Sequence, residues 1–258
     1  MNIDKIKNLL KTKYIGKAIL FLEQIDSTNN YLKNLEVAEN SDGLVVIAEN
    51  QTKGRGRYDR KWYSQPGKNL TFSVLMTPTK TNLETKILPI ITASAICKAV
   101  ENYTGIHIHT KWPNDLILNG KKLGGILIET TFETHLKKII IGIGLNVNQS
   151  SFDNEVKLIA TSLYLNNGRE YDREVLLSHI LNSLDEMYHK LILNDYLDYI
   201  EDWKMRCNHF KKTIIFEYNG ESYKGIAREL TKDGCLIVNS DGKDIKIFSG
   251  EIFINKEG

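Results

Sequence analysis

Hydrophobic periodicity divides most of the chain into short helices and strands. Apolar residues recur with a helical period in Ile3–Leu10, Asn29–Leu35, Leu83–Tyr103, Arg173–Leu191 and, less regularly, Asp195–Arg206. Apolar, β-branched runs predict strands at Ile19–Gln24, Leu44–Ala48, Leu70–Met76, Leu116–Leu118, Gly125–Thr131 and Ile139–Val147. Because these strands follow one another instead of alternating with helices, we expect an α+β fold, with a mixed or antiparallel sheet flanked by helices.

The end of the chain has a different pattern. From Lys212 onward, short β-rich runs are separated by the turn signals Asn219-Gly220, Asp233-Gly234 and Asp241-Gly242. We interpret this stretch of roughly 45 residues as a five-stranded small barrel, which is near the lower size limit for independent folding. The sequence therefore predicts a main domain over 1–210 and a small C-terminal β-barrel domain over 211–258 that leans on it.

Composition excludes several classes of protein. The chain has 258 residues, of which 41% are hydrophobic and 26% charged, as in an ordinary globular protein. The first residues lack the apolar core of a signal peptide, and no apolar run is long enough to span a membrane. We therefore expect a cytoplasmic protein. Three separated cysteines and six scattered histidines form no recognisable disulfide or metal pattern, so no metal site is predicted.

Positive charge is concentrated in one glycine-rich segment, Gln51–Lys68. Its six basic residues and one acidic residue contribute +5, which leaves −3 for the rest of a chain whose net charge is +2. Such local charge favours a small anionic ligand over a nucleic-acid surface. Because side chains alternate in extended backbone, Arg55 and Arg57 are expected to point the same way. The segment would be mobile when empty and close over an anion; the alternative is a solvated basic loop.

A second polar cluster lies in Thr110–Glu129. Lys111 and Lys122 are placed on neighbouring predicted strands, where they would flank one pocket and suit a phosphate. The consecutive Gly124 and Gly125 would leave room for a ligand. Asn114 and Asp115 supply further polar groups at the start of a strand. On composition alone, an ordinary hairpin with surface lysines explains the cluster equally well.

Together, several motifs carry a resemblance to a known family. "GRGRYDRKW", "KWPNDLIL", "KKLGGILIE", "GIGLNVN", "DSTN" and "ATSL" occur in an order that resembles biotin protein ligases, from Ser27 to the "GEI" at Gly250–Ile252. The resemblance implies a catalytic domain like that of class II aminoacyl-tRNA synthetases, followed by an SH3-like barrel. It also implies an ATP-dependent enzyme, using Mg²⁺, that makes biotinyl-5′-adenylate and transfers biotin to a lysine of a biotin carboxyl carrier protein.

The resemblance also implies roles for individual residues. The expected biotin-binding residues are Ser27, Thr28, Asn29, Gln51, Arg55, Gly56, Arg57, Lys122, Gly124 and Gly125. The expected ATP-binding residues are Arg57, Arg60, Trp62, Lys111, Asn114, Asp115 and Asn146. The cations Lys111, Arg55, Arg57 and Lys122 would be catalytic, because they neutralise charge as a carboxylate attacks a triphosphate. Positioning and electrostatics suffice, so no protein nucleophile is expected.

The chain departs from the family pattern at two places. Tyr58 and Asp59 stand where a small or basic pair with glycine is usual, which leaves the contact of Arg60 with the nucleotide open. About 15 residues precede the first strand, too few for the two-helix DNA-reading unit of the family's repressors, so no operator binding is expected. A homodimer is possible, and Ile139–Leu145 is the candidate edge strand. Competing interpretations are a lipoate–protein ligase, or a nucleic-acid-binding module that uses Gln51–Lys68 as a basic arm.

Overall fold

A seven-stranded mixed sheet organises the first part of the chain. The computed structural model describes residues 1–38, 41–78, 84–132, 136–153, 155–218 and 220–254. The strands are β1 (Ile19–Ile25), β2 (Val45–Gln51), β3 (Leu70–Met76), β4 (His109–Lys111), β5 (Asp115–Leu118), β6 (Lys121–Phe132) and β7 (Leu136–Leu145). Their order is β1-β2-β3-β7-β6-β5-β4; β1 and β2 are parallel, and the other neighbours are antiparallel. The expected mixed sheet is confirmed.

The helices match the apolar periodicity closely. They are α1 (Ile3–Leu9), α2 (Thr28–Asn34), α3 (Leu88–Thr104), α4 (Leu163–Asn167), α5 (Arg173–Leu193) and α6 (Leu197–Arg206). Helix α3 starts later than the predicted Leu83, a position outside the described residues. Ser27 caps α2 by accepting a hydrogen bond from the amide of Asn30. The short α4 was not predicted, because one helical turn carries too little periodicity.

Alternation along the strands gives the large sheet two different faces. Val45, Ile47 and Val74 belong to the main core, which is shared with α1, α3, α5 and α6. Their sequence neighbours Val46 and Leu75 point the other way, into a small separate cluster with Leu32 of α2. One face is thus covered by four helices. The other is covered by the short α2 and leaves part of the sheet for the loop that follows β2.

The last five strands form a second sheet. They are β8 (Thr213–Tyr218), β9 (Glu221–Leu230), β10 (Leu236–Ser240), β11 (Lys243–Ile247) and β12 (Ile252–Ile254), in the order β11-β10-β9-β8-β12. The predicted strand count is confirmed, but β11 and β12 are not paired within the described residues, so closure into a barrel stays a prediction. Buried residues of this sheet, including Phe216 and Leu236, belong to the same core as the large sheet. The proposed boundary at residue 210 therefore also stays a prediction.

The prediction that Ile139–Leu145 is an edge strand available for dimerisation is wrong. Strand β7 is paired along one edge with β3 and along the other with β6, so it has no backbone groups left for a partner. Its strongly apolar sequence reflects a central position in the sheet. By contrast, β5 pairs with β6 only as far as Gly125, and the amide of Ile126 donates to the carbonyl of Asn114. The segment Leu127–Phe132 pairs with β7 alone within the part of the chain that the structure describes. In that same part, no helix has the length and apolar character needed to cross a membrane.

Candidate active site

Glycines on two central strands form the floor of the candidate site. Gly125 of β6 lies opposite Gly144 of β7, and Gly142 is two residues away on the same face. An added Cβ would lie 2.3 Å from the Oδ1 atom of Asn29 at Gly142, and 2.3 Å from the Trp62 ring at Gly144. Only glycine allows α2 and the loop after β2 to approach the sheet so closely. Sequence reasoning did not single out Gly142 and Gly144, although their alternation was visible.

Gly124 does not fit the expectation for a ligand-facing glycine. A Cβ at this position would point toward the buried Leu116 and Leu145 and would lie 2.7 Å from the carbonyl oxygen of Gly144. Glycine is therefore required here by close packing on the core side of the sheet. Gly125 faces the other way, where a Cβ would meet the flexible end of Lys122 at 3.3 Å. The reason for this difference is the strand period of two, which places consecutive residues on opposite faces.

At one end of the floor, α2 carries a buried, uncharged network of hydrogen bonds. Ser27, Thr28 and Asn29 are each only 3% exposed. The backbone amide of Thr28 donates to Oε1 of Gln51 at 2.8 Å, and its hydroxyl contacts that of Ser73 at 2.6 Å. Ser73 also donates to Oδ1 of Asn29 at 2.6 Å. The structure therefore brings the four predicted residues together around Ser73, which the sequence gave no signal to select.

The basic loop is a short hairpin that differs from the extended segment expected. The amide of Trp62 donates to the carbonyl of Gly54 at 2.9 Å, and that of Gly56 donates to the carbonyl of Arg60 at 2.6 Å. A 3₁₀ turn over Arg57–Asp59 interrupts the extended backbone. The expectation that Arg55 and Arg57 point the same way is therefore wrong, because the turn breaks the alternation on which it rested.

Each arginine of the hairpin has its own partners. Arg55 donates through Nη2 to Oδ1 of Asn30 at 2.5 Å and to the carboxylate of Glu129 at 3.2 Å. Arg57 donates to the carbonyl of Gly250 at 2.9 Å. Gly56, between the two, has ordinary van der Waals space on its side-chain side. Glu129 ends the "KKLGGILIE" motif but was not predicted as a site residue.

At the other end of the floor, two lysines meet around one carboxylate. Nζ of Lys122 lies 2.6 Å from Oδ1 of Asp115, and Lys111 is directly opposite Asp115 in the β4–β5 pair. The two lysines therefore flank Asp115, but the prediction that they lie on neighbouring strands is wrong, because β5 lies between β4 and β6. Burial lowers the pKa of Lys111 below its ordinary value, while the negative charge of Asp115 acts in the opposite direction. An anion placed beside Lys111 would relieve that desolvation cost.

The C-terminal sheet covers the cations at this end. Nη2 of Arg60 lies 2.6 Å from Oε2 of Glu251, and Nζ of Lys111 lies 5.7 Å from the ring centre of Phe253. A cavity of about 580 Å³ lies between the hairpin and this sheet, lined by Tyr58, Arg60 and Phe253 among others. Arg60 is thus paired with a carboxylate of the protein itself. The difference from the family pattern at Tyr58-Asp59 gave no indication of this ion pair.

The asparagines predicted for the nucleotide side are mostly occupied by backbone. Asn114 donates from Nδ2 to the carbonyl of Ile126 at 2.7 Å and so holds the middle of β6 against the residue that precedes β5. Asn146 donates from Nδ2 to the carbonyl of Thr161 at 3.0 Å, which leaves its buried Oδ1 without a partner. Two further buried atoms without a partner lie in the same region, Nε of Arg55 and Nε1 of Trp62. Because buried polar atoms are normally paired, these three unpaired atoms are candidates for ligand contacts.

The remaining reactive residue types do not form a second chemical centre. Among the described residues, no group of three histidine, cysteine, aspartate or glutamate side chains could hold a metal ion. The three cysteines are free; Cys97 and Cys235 are buried, and Cys207 is half-buried beside His209. Burial raises the pKa of the Cys97 thiol to about 12, which keeps it protonated and unreactive at neutral pH.

Comparisons with known proteins agree with the geometry. The family model for the biotin/lipoate A/B protein ligase family matches residues 21–146. The chain is 34% identical over 252 residues to the bifunctional ligase/repressor BirA of Bacillus spizizenii, covering 96% of this chain and 78% of that protein. It is 28% identical over 237 residues to the biotin–[acetyl-CoA-carboxylase] ligase of Mycobacterium tuberculosis, covering 89% and 86%.

A solved structure gives the same result for the fold. The biotin protein ligase from Aquifex aeolicus, solved in complex with biotin and ATP, superposes with a TM-score of 0.80 at 31% identity. The match covers 93% of this chain and 99% of that one, and so includes both sheets. On sequence and structure together, this chain is an enzyme of the biotin protein ligase family.

Proposed function

We propose that this enzyme activates biotin with ATP and transfers the biotinyl group to one lysine of a carrier protein. In the first step the biotin carboxylate attacks the α-phosphorus of ATP, the bond to the β-phosphate bridging oxygen breaks, and pyrophosphate leaves. In the second step the lysine amine attacks the biotinyl carbonyl and AMP leaves. The amine proton is lost to solvent or to the departing phosphate.

The single observation that carries this proposal is the glycine floor with unlike ends. Gly125, Gly142 and Gly144 leave one continuous strip of sheet without side chains. A neutral polar network around Thr28 lies at one end, which suits a ureido ring. Lysines lie at the other end, which suits phosphates. This order matches a ligand whose polar, uncharged head group lies at the α2 end and whose carboxylate meets a nucleotide at the lysine end.

Electrostatics account for the first step without a protein nucleophile. A carboxylate approaching a triphosphate must overcome repulsion between like charges. Arg55 on the α2 side of the floor and Lys111 and Lys122 at the lysine end would neutralise charge where it develops between them. Mg²⁺ is proposed to enter with ATP as part of that substrate, since it is bound largely through phosphate oxygens and water. Its role would be to polarise the phosphates.

The basic hairpin would protect the intermediate in the second step. The biotinyl adenylate is a mixed anhydride, and water would hydrolyse it in an open site. The hairpin already lies on the sheet through Trp62, whose ring covers Gly144. We propose that it opens to admit ligands and closes over the adenylate, with Trp62 against the adenine. Arg57 would then exchange the carbonyl of Gly250 for a ligand oxygen.

Further assignments extend this proposal. The acceptor would be a biotin carboxyl carrier protein or an equivalent carboxylase domain. If the enzyme dimerises through a sheet edge, the edge of Leu127–Phe132 is the proposed strand, in place of the central β7. Closure of the C-terminal sheet into an SH3-like barrel, a cytoplasmic location and the lack of operator binding stay predictions from the sequence.

One assay tests the proposed function. The protein is incubated with radiolabelled biotin, ATP and Mg²⁺, and the products are separated before and after addition of a biotin carboxyl carrier domain. We expect labelled biotinyl adenylate first and labelled carrier afterwards. Parallel reactions with lipoate should give neither product. Absence of adenylate with biotin, or preferential use of lipoate, would overturn the proposal.

A further inference from the structure

We propose that Glu129 is a positioning residue that joins the two halves of the biotin side of the site. The inference rests on the proposed function, because it concerns how the same site holds biotin. Glu129 is on β6, and the strand period of two places it on the face of Gly125, toward the ligand. Its side chain is 19% exposed, so it is largely withdrawn from solvent.

The carboxylate of Glu129 contacts two different segments of the site. Its Oε2 accepts a hydrogen bond from Nδ2 of Asn29 at 2.8 Å. The same carboxylate accepts from Nη2 of Arg55 at 3.2 and 3.3 Å. Asn29 belongs to α2 and Arg55 to the basic hairpin, so one side chain on a rigid central strand fixes both. Lys33 is a more distant cation, with Nζ 3.7 Å away.

The contacts of Glu129 determine how its neighbours face the site. Donation from Nδ2 to Glu129 turns Oδ1 of Asn29 toward Ser73, so the orientation of the amide is set from both ends. Nη2 of Arg55 is held between Glu129 and Asn30, and its buried Nε has no partner. That Nε is a donor held in place for a ligand acceptor.

An acidic residue at this position would otherwise oppose the binding of an acid. Biotin carries a carboxylate, and a second carboxylate on the same face of the site repels it. The arrangement is favourable only if Arg55 neutralises Glu129 and if the positioning of Arg55 and Asn29 offsets the remaining repulsion. Glu129 is therefore expected to act through Arg55 and Asn29, without touching the reacting atoms.

A double-mutant cycle separates positioning from a general structural role. Biotin affinity is measured by calorimetry for the wild type, Glu129→Gln, Arg55→Gln and the double variant. We expect Glu129→Gln to weaken biotin binding about tenfold alone and less than about twofold when Arg55 is already replaced, since the residues act as one unit. Additive losses in the two backgrounds would overturn the proposal, as would wild-type affinity in Glu129→Gln.

Two further variants keep the test decisive. Lys33→Ala removes the distant cation and is the matched control, with an expected change below about twofold, as for exposed pairs. Arg55→Lys keeps the charge but lacks the planar fork that reaches both Asn30 and Glu129. It should weaken biotin about tenfold even if Glu129→Gln fails to fold, and unchanged affinity would overturn the proposal. The wild-type adenylate assay shows separately whether the proposed function itself fails.

Discussion

The two ends of the glycine floor are stabilised in opposite ways. The α2 end consists of buried neutral groups whose hydrogen bonds are made within the protein, as for Thr28, Asn29 and Ser73. The lysine end has half-buried cations held by carboxylates and by the C-terminal sheet, as for Lys122 with Asp115. The neutral network at the first end is formed before a ligand arrives, while Nε of the neighbouring Arg55 is unpaired. The second must exchange protein partners for phosphate oxygens.

The contrast between the two ends explains how one groove can bind two substrates with different chemical requirements. A ureido ring needs fixed donors and acceptors, and preorganised groups avoid an ordering cost on binding. A triphosphate brings charge, and cations that are already paired avoid an unfavourable repulsion when the site is empty. The comparison predicts that changes at the two ends will affect different substrates and different steps.

Replacement of Lys111 should give the largest effect. Lys111→Ala removes a buried cation at the lysine end, and we expect adenylate formation to slow by about 10²–10³, the usual cost of one such electrostatic donor. Single-turnover measurement of adenylate formation tests this. Lys121→Ala is the matched control, because Lys121 is an exposed lysine of the same sheet whose Nζ donates to the carbonyl of Lys157. Equal rates in the two variants would argue against a charge role for Lys111.

Gly142 and Gly144, two of the three floor glycines, should give the next largest effects, each on its own neighbour. A methyl group at Gly142 must displace Asn29, and one at Gly144 must displace the Trp62 ring. We expect each alanine variant to lose about 1–3 kcal/mol of unfolding free energy, as for other overpacked sites. Denaturant unfolding measures this loss. Tryptophan fluorescence should change in Gly144→Ala and stay close to wild type in Gly142→Ala; the reverse pattern would contradict the assignment.

The pH dependence of ATP binding should reveal the buried lysine. Burial lowers the pKa of Lys111, so its ammonium loses its proton at a lower pH than an ordinary lysine. ATP affinity should therefore fall as pH rises through this lowered pKa, and ATP binding in that range should take up a proton. In Lys111→Arg the guanidinium stays charged, so the affinity should be flatter with pH. Calorimetry in buffers of different ionisation enthalpy measures the proton uptake.

The contact between the hairpin and the C-terminal sheet should give the smallest effect. Arg60 is 64% exposed, and exposed ion pairs contribute about 0–1 kcal/mol. Glu251→Gln should therefore tighten ATP binding by less than about fivefold, because it releases Arg60 and removes a negative charge. Glu217→Gln removes an equal charge from the same cavity and is the control. Weaker ATP binding in Glu251→Gln would show that this carboxylate assists the nucleotide.

Local patterns predicted the fold better than they predicted the site. Leu70–Met76 was predicted to the residue, because an isolated apolar run with polar flanks has clear ends. The order of the strands in the sheet could not be predicted from the sequence, and the central strand β7 was therefore taken for an edge strand. Motifs located Lys111 and Lys122, although the two lysines lie on β4 and β6 with β5 between them and not on neighbouring strands. Ser73 was missed because its contacts come from distant segments that meet only in the folded chain.

The assignment of biotin to the α2 end and ATP to the lysine end is tested most directly by two affinities measured in two variants. Biotin and ATP binding are measured separately by calorimetry for Gly142→Ala and Lys111→Ala. The account predicts that Gly142→Ala loses biotin affinity and keeps ATP affinity, whereas Lys111→Ala keeps biotin affinity and loses ATP affinity. Collapse of biotin affinity in Lys111→Ala, with ATP affinity retained, would contradict the assignment of the two ends.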